Sequence, residues 1–224
     1  MKVVCMGRRE VAPGAWEYTF RPEAPLEYVP GQYARFTFLS HLDDPRGKQY
    51  RTFSLTSHPS EGVIRFIVRL DQPLSVFKGP LSELQPGDQM HMSEPLGDTI
   101  LPRLSTTPLV FVAQGIAIAS YISMLNECAR SNLSHPVSLV WTRRRTDSAL
   151  SELIPEDAQI VSRVDKVYPD RLTIDHITEL LAPGGLLYLS GSQTFVETLG
   201  DALEASGTPR ERIIYDYYEG YTEL

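Results

Sequence analysis

The sequence predicts two domains: an antiparallel β domain, barrel or sandwich, followed by an α/β domain with a parallel sheet. Two observations carry that reading. Through the first hundred residues, short alternating apolar and polar stretches are separated by turn-forming clusters. Beyond Leu101–Pro108 the grammar changes, and wholly apolar runs alternate with helical stretches. At 224 residues the chain is long enough for two cores.

The first-half strands are expected at "WEYTFRP", "QYARFTFL", "YRTFSLTS", "GVIRFIVRL" and "DQMHMSEP", separated by "VPG", "DDPRGK", "SHPSEG" and "QPGD". "PLSELQ" supplies one short helix. In the second half the strands are "LVFVA", "VSLVW", "QIVSRV" and "GGLLYLSG". The helices between them are "SYISMLNECARS", "SALSELIP", "IDHITELL" and "TFVETLGDALEASG". The domains divide as residues 1–103 and 104–224, and the tail "RIIYDYYEGYTEL" ends the chain.

Composition narrows the function. The chain is 42% hydrophobic with a net charge of -7, which disfavours nucleic acid as a partner. Two cysteines, Cys5 and Cys128, form no C-x-x-C pair, so no zinc or iron–sulfur site is coded, and a reducing, cytoplasmic location is expected. His41, His58, His91, His135 and His176 lack metal-ligand spacing. The apolar run Pro108–Leu125 is interrupted by Gln114 and Gly115, which reads as strand, turn and helix, not as a membrane span. The start "MKVVCMGRREV" lacks the long apolar run and cleavage site of a signal peptide. No hydrolase motif is present.

The stretch "RTFSLTS" places Thr52, Ser54 and Thr56 on one side of a strand and Phe53 and Leu55 on the other. It opens with Arg51, whose planar fork suits a phosphate. Downstream, "FKGPLSEL" puts Gly79 at a helix start with Pro80 and Ser82 behind it, a second anion-binding signal. Singly, each is also what a surface salt bridge or an ordinary helix residue looks like.

Their order decides more. "PGQYARFTF", "RTFSLTS", "VIRFIVRL" and "FKGPLSELQPGDQMHMSEPLGD", continuing through "VFVAQGIAIASYISML" and "LLYLSGSQTFVETL", resemble the ferredoxin–NADP reductase family over nearly the whole chain. The resemblance implies a flavin-binding β-barrel and a Rossmann-like NAD(P) domain, with hydride passing between nicotinamide C4 and flavin N5. It implies that Arg51 and Thr52 hold FAD, with Arg51 on the pyrophosphate, Phe53 packed on the isoalloxazine or ribityl, and Ser54 near N5. Val68, Arg69 and Leu70 would offer backbone groups to the flavin. Lys78, Gly79, Pro80, Leu81 and Ser82 would form the pyrophosphate cradle.

In the second half the family's G-G-x-G-x-[TA]-P loop corresponds to Gln114, Gly115, Ile116, Ala117, Ile118, Ala119 and Ser120, with one glycine kept and the proline gone. Its C-G-P corresponds to Ser190, Gly191 and Ser192. Thr142, Arg143, Arg144 and Arg145 lie where NADPH-preferring members bind the ribose 2′-phosphate. The family's terminal acid and aromatic fall on Asp216 and Tyr218, with Tyr221 as an alternative cover; equally, Tyr215, Tyr217 and Tyr218 read as alternate sides of a final edge strand. Ser54, Ser190 and Asp216 are then the residues expected to shape hydride transfer, with FAD and NADP or NAD as cofactors. The partner would be ferredoxin, flavodoxin or a small acceptor such as free flavin or a ferric chelate. The eroded loop leaves open a flavin-binding electron-transfer or regulatory subunit that does not turn over NAD(P)H.

Overall fold

The computed structural model describes residues 1–42, 50–104, 106–131, 135–158 and 160–218; the expected turn at 43–48 lies outside them. The first half is a six-stranded antiparallel sheet of β1 (Lys2–Ala12), β2 (Ala15–Pro22), β3 (Tyr33–Phe38), β4 (Tyr50–Ser54), β5 (Ile64–Arg69) and β6 (Gln89–Met92), with α1 (Lys78–Glu83) before the last strand. The order is β4-β3-β6-β1-β2-β5. The sheet curls until its edges meet without closing into a ladder. The Thr56 N–H donates to the Arg65 carbonyl at 2.9 Å, and the Phe53 ring stacks on Phe66 at 4.2 Å. Tyr18, Phe20, Phe36 and Phe66 fill the interior. Eleven-residue β1 is the element absent from the sequence expectation. Register shifts between Cys5 and Gly7 and between Glu10 and Ala12 break its alternation, hiding the two-residue period.

The second half is a parallel sheet of β7 (Leu109–Gln114), β8 (Val137–Arg143), β9 (Ile160–Val167), β10 (Leu186–Ser192) and β11 (Ile213–Tyr218), in the order β11-β10-β7-β8-β9. Its flanking helices are α2 (Ala119–Arg130), α3 (Asp175–Thr178) and α4 (Gln193–Ala205). From β7 the chain runs outward through β8 and β9, then returns to the other side of β7 for β10. The strand order therefore reverses between β7 and β10. Two expected helices are weaker than their patterns. "SALSELIP" is the end of a 3-10 segment, Arg145–Leu153. "IDHITELL" makes one α-turn, after which Leu180 and Leu181 donate three residues back. Among the described residues no helix is long and apolar enough to cross a membrane.

The sheets meet along a polar seam. The Gly31 N–H donates to Ser123 Oγ at 3.0 Å. Gly31 has φ +101°, and a Cβ there would lie 2.0 Å from the Thr99 carbonyl, so only glycine fits the approach. At one end of the seam His58 Nε2 lies 2.7 Å from Glu127 Oε2. At the other, Arg69 Nη2 donates to Asp147 Oδ1 at 2.5 Å.

Burial of Glu127 works against its charge, but hydrogen bonds from Ser131 and His58 outweigh it and hold the carboxyl below its ordinary 4.5. A lowered carboxyl pKa stabilises the fold fully above the unfolded value, and that contribution is lost as pH falls through the folded value. Glu127→Gln should therefore flatten the loss of stability on acidification below about pH 4.5, where unfolded glutamates protonate. Urea midpoints between pH 6 and 3 check this; parallel curves for parent and variant would disprove it.

Candidate functional site

Strand β4 supplies the first wall of the site. Its alternation turns Thr52 and Ser54 outward, into a cleft of about 510 Å³. Tyr33, Arg35 and Tyr50 line the same wall; Gly97, Asp98 and Thr99 form the rim. The opposite wall is β11, through Ile214, Tyr215, Asp216 and Tyr217. The cleft thus lies between the two sheets, and Arg35 sits over the Tyr50 ring at 4.8 Å on its barrel side.

Behind the cleft the structure joins Ser54, Ser190 and Asp216 through a fourth residue. Ser54 Oγ lies 3.0 Å from Ser120 Oγ, Ser120 Oγ lies 3.2 Å from Ser190 Oγ, and the Ser190 hydroxyl donates to Asp216 Oδ2 at 2.8 Å. Ser120 and Ser190 are buried. In the sequence Ser120 stood only as the missing proline of the loop; its spacing carries no signal of this contact, because its partners lie 66 and 70 residues away.

Phe53 is 9% exposed and packs among Phe36, Phe66 and Phe77, on the side of β4 away from Thr52 and Ser54. The strand period that puts Thr52 and Ser54 in the cleft requires this. Val68 and Leu81 are core residues as well. Leu70 donates its N–H to the Gly14 carbonyl, and the Arg69 guanidinium crosses the seam to Asp147.

The expected cradle around Gly79 is also different. The Lys78 N–H is taken by Ser75 Oγ at 3.3 Å, and the Gly79 N–H by the Ser75 carbonyl at 2.9 Å. Pro80 has no N–H, Leu81 donates back to Phe77, and the Ser82 hydroxyl bonds the Gly79 carbonyl. What remains for an anion is side-chain charge. Arg51 donates to the Tyr50 carbonyl and lies over the Phe77 ring, beside Lys78. Burial pushes the Lys78 ammonium below its ordinary value; Arg51 and Arg69 add to this, while Asp71 opposes it. A bound anion would relieve that crowding of like charges, so the residues present fit a phosphate-bearing group.

A second cavity of about 760 Å³ opens outside the carboxyl ends of β7 and β8, lined by Gln114, Gly115, Ile116, Thr142, Arg143 and Arg144 together with Arg69, Asp147 and Tyr168. Gly115 has φ +56°, which glycine adopts without strain, and its carbonyl accepts from Trp141 Nε1. The three arginines do not act alike. Arg143 packs over the Trp141 ring at 5.0 Å and lies 3.9 Å from Asp165. Arg144 is the exposed one at the cavity, 3.9 Å from Asp71; Arg145 is exposed but does not line it. Asp147 and Tyr168, neither singled out in the sequence, complete the wall.

Gln114 and Ser192 also border a third cavity, of about 700 Å³, against Thr173, Phe195 and Leu199. Gly191, the penultimate residue of β10, has Phe195 and Gln114 packed over it. Tyr218 pairs through its backbone with Ser192 at the sheet edge, in keeping with an edge strand; Tyr221 lies outside the described residues.

The toluate 1,2-dioxygenase electron transfer component of Pseudomonas putida is 25% identical over 210 residues, covering 86% of this chain and 59% of that one. Flavohemoglobin from Malassezia yamatoensis, solved with bound FAD and heme, superposes with a TM-score of 0.79 at 20% identity, covering 97% of this chain and 59% of that one. Phthalate dioxygenase reductase gives 0.79 at 18% identity, over 97% and 67%. The fold is that of the ferredoxin–NADP reductase type. The phthalate dioxygenase reductase is described as transferring electrons from pyridine nucleotides to [2Fe–2S], and a further neighbour is the FAD/NAD binding domain of nitric oxide dioxygenase from Vibrio cholerae. No protein-family model matches the chain. The chain spans somewhat more than half the length of the first curated relatives it matches, 54% and 59%.

The placement of Phe53 in this reductase fold gives a test. Phe53→Ala should destabilise the protein by about 3–5 kcal/mol, the range for emptying a buried aromatic position. The urea midpoint should fall with little change in slope. A loss of ligand affinity at unchanged stability would place the ring in the cleft after all.

Proposed function

We propose that the chain is an NAD(P)H-dependent flavoprotein oxidoreductase that passes electrons from a nicotinamide nucleotide through FAD to a separate acceptor. Residues 1–103 would hold the flavin and 104–224 the nucleotide. The observation that carries the reading is the cleft with Thr52 and Ser54 on one wall and Asp216 on the other, joined behind by Ser120 and Ser190. When bound there, the flavin supplies the redox chemistry, taking up hydride and releasing electrons singly or in pairs.

The chain's own part is binding and placement. Arg51 and Lys78 supply positive charge for the pyrophosphate, in place of the backbone donors that Ser75 occupies. Thr52 and Ser54 present hydroxyls to the flat ring from β4. Ser190 and Asp216 hold the hydrogen-bond network behind the position where a nicotinamide would stack. Arg144, exposed at the second cavity, is the residue best placed to favour NADPH over NADH. The names of the relatives, among them dioxygenase electron transfer and reductase components, support a protein acceptor; a small electron-carrier protein is the reading preferred over free flavin or a ferric chelate.

A second reading rests on Gln114, which occupies the glycine position of the dinucleotide loop: a flavin-binding electron-transfer subunit that does not turn over NAD(P)H. Mixing the FAD-loaded protein anaerobically with NADPH separates the two. The yellow colour bleaches rapidly in the first case and persists in the second. Arg51→Ala should weaken FAD retention by roughly tenfold to over a hundredfold, the equivalent of about 1.5–3 kcal/mol for a charge-assisted contact. A protein that fails to bind added FAD at all overturns both readings.

A further inference from the structure

In an open parallel sheet the ligand crevice lies outside the carboxyl ends of the strands, where the strand order reverses. Here that point is between β7 and β10. The residues at the two strand ends are Gln114 and Ser192, and they are bonded to each other. Gln114 Oε1 accepts from the Ser192 N–H at 3.1 Å and from the Ser192 hydroxyl at 2.9 Å. A backbone N–H only donates, so the carboxamide oxygen must face it, which turns the amide nitrogen to the other side. The side chain also fills the space over Gly191, where an added Cβ would lie 2.9 Å from Gln114 Cβ and 3.2 Å from Gln114 Oε1. Gln114 lines the second cavity and the third one alike. It is the residue that the two linings share.

We propose that Gln114 is a gate across the switch-point crevice, and that it sets the affinity of this chain for a dinucleotide. With the Gln114–Ser192 bonds made, a mononucleotide-sized ligand fits on either side of the partition, but a continuous dinucleotide crossing between β7 and β10 does not. Entry of a dinucleotide requires the carboxamide to swing away from Ser192, and the two lost hydrogen bonds are subtracted from the binding. A ligand confined to one cavity avoids that cost. The gate therefore discriminates between the whole dinucleotide and its adenosine half. This inference rests on the nucleotide-binding role assigned above to residues 104–224.

The test is calorimetric titration of the FAD-loaded protein with NADP⁺ and, separately, with 2′,5′-ADP, so that the reading does not depend on turnover. Gln114→Gly should tighten NADP⁺ binding by about tenfold, as expected for sparing two hydrogen bonds of modest net worth, and leave 2′,5′-ADP nearly unchanged. Gln114→Ala, which keeps a β-carbon, is the second variant should the glycine weaken the strand end, and it should show the same selective gain. Equal affinity for NADP⁺ in parent and both variants, with the flavin still reduced by NADPH, overturns the gate and leaves the oxidoreductase reading standing. Parallel gains for NADP⁺ and 2′,5′-ADP also overturn it, since they would mean a wider cavity and not a removed partition. If parent and variants bind neither nucleotide and the flavin is not reduced, the nucleotide role fails and the gate fails with it.

Discussion

The buried carboxylate of Asp147 constrains how the two halves meet. It is 1% exposed, and a charge so far from water costs several kcal/mol unless it is paired and hydrogen-bonded. Arg69 supplies the ion pair from the end of β5, and the Arg144 N–H supplies a backbone bond from the end of β8. One carboxylate thus fixes the last residue of a barrel strand against the first turn beyond a parallel strand. The Arg69 guanidinium also reaches the Pro13 carbonyl, which ties the β1–β2 turn into the same knot. With these groups committed, the second cavity has a fixed wall on its barrel side, and Arg144 stands at its opening beside Asp71.

The same economy explains why the seam is polar throughout. Gly31 to Ser123, Ser54 to Ser120 and His58 to Glu127 each cross from the first half to α2 by a hydrogen bond. Apolar packing alone would let the halves slide, whereas directional contacts spaced along one helix set a single register. The cleft between β4 and β11 inherits its width from that register, and so does the position of Asp216 relative to Ser54.

Much of this was legible in the sequence because it is local. The alternation in "RTFSLTS" correctly separates Thr52 and Ser54 from Phe53. The strand–helix grammar beyond Leu101 locates four of the five parallel strands, and the alternation of the tail offers the fifth, β11, as an edge strand. What was not legible depends on contacts distant in sequence or on bulges. Strand β1 hides behind its register shifts. At the cradle expected around Gly79, the Lys78 and Gly79 N–H groups are taken by Ser75, a residue with no special signal of its own. Gln114 is visible as a departure from the loop pattern, but its bond to Ser192 appears only when β10 is laid beside β7.

Ser120 shows how a departure from a motif can add a connection as well as remove one. A proline at this position would offer neither hydroxyl nor N–H; serine offers a donor and two acceptor sites. The Ser190 hydroxyl donates to Asp216 Oδ2 and lies 3.2 Å from Ser120 Oγ, which in turn lies 3.0 Å from Ser54 Oγ. A proline at residue 120 would break that series in the middle, leaving Ser54 on the barrel wall with no link to Ser190. With serine there, the edge strand β11 and the barrel strand β4 are joined across the cleft through two buried hydroxyls.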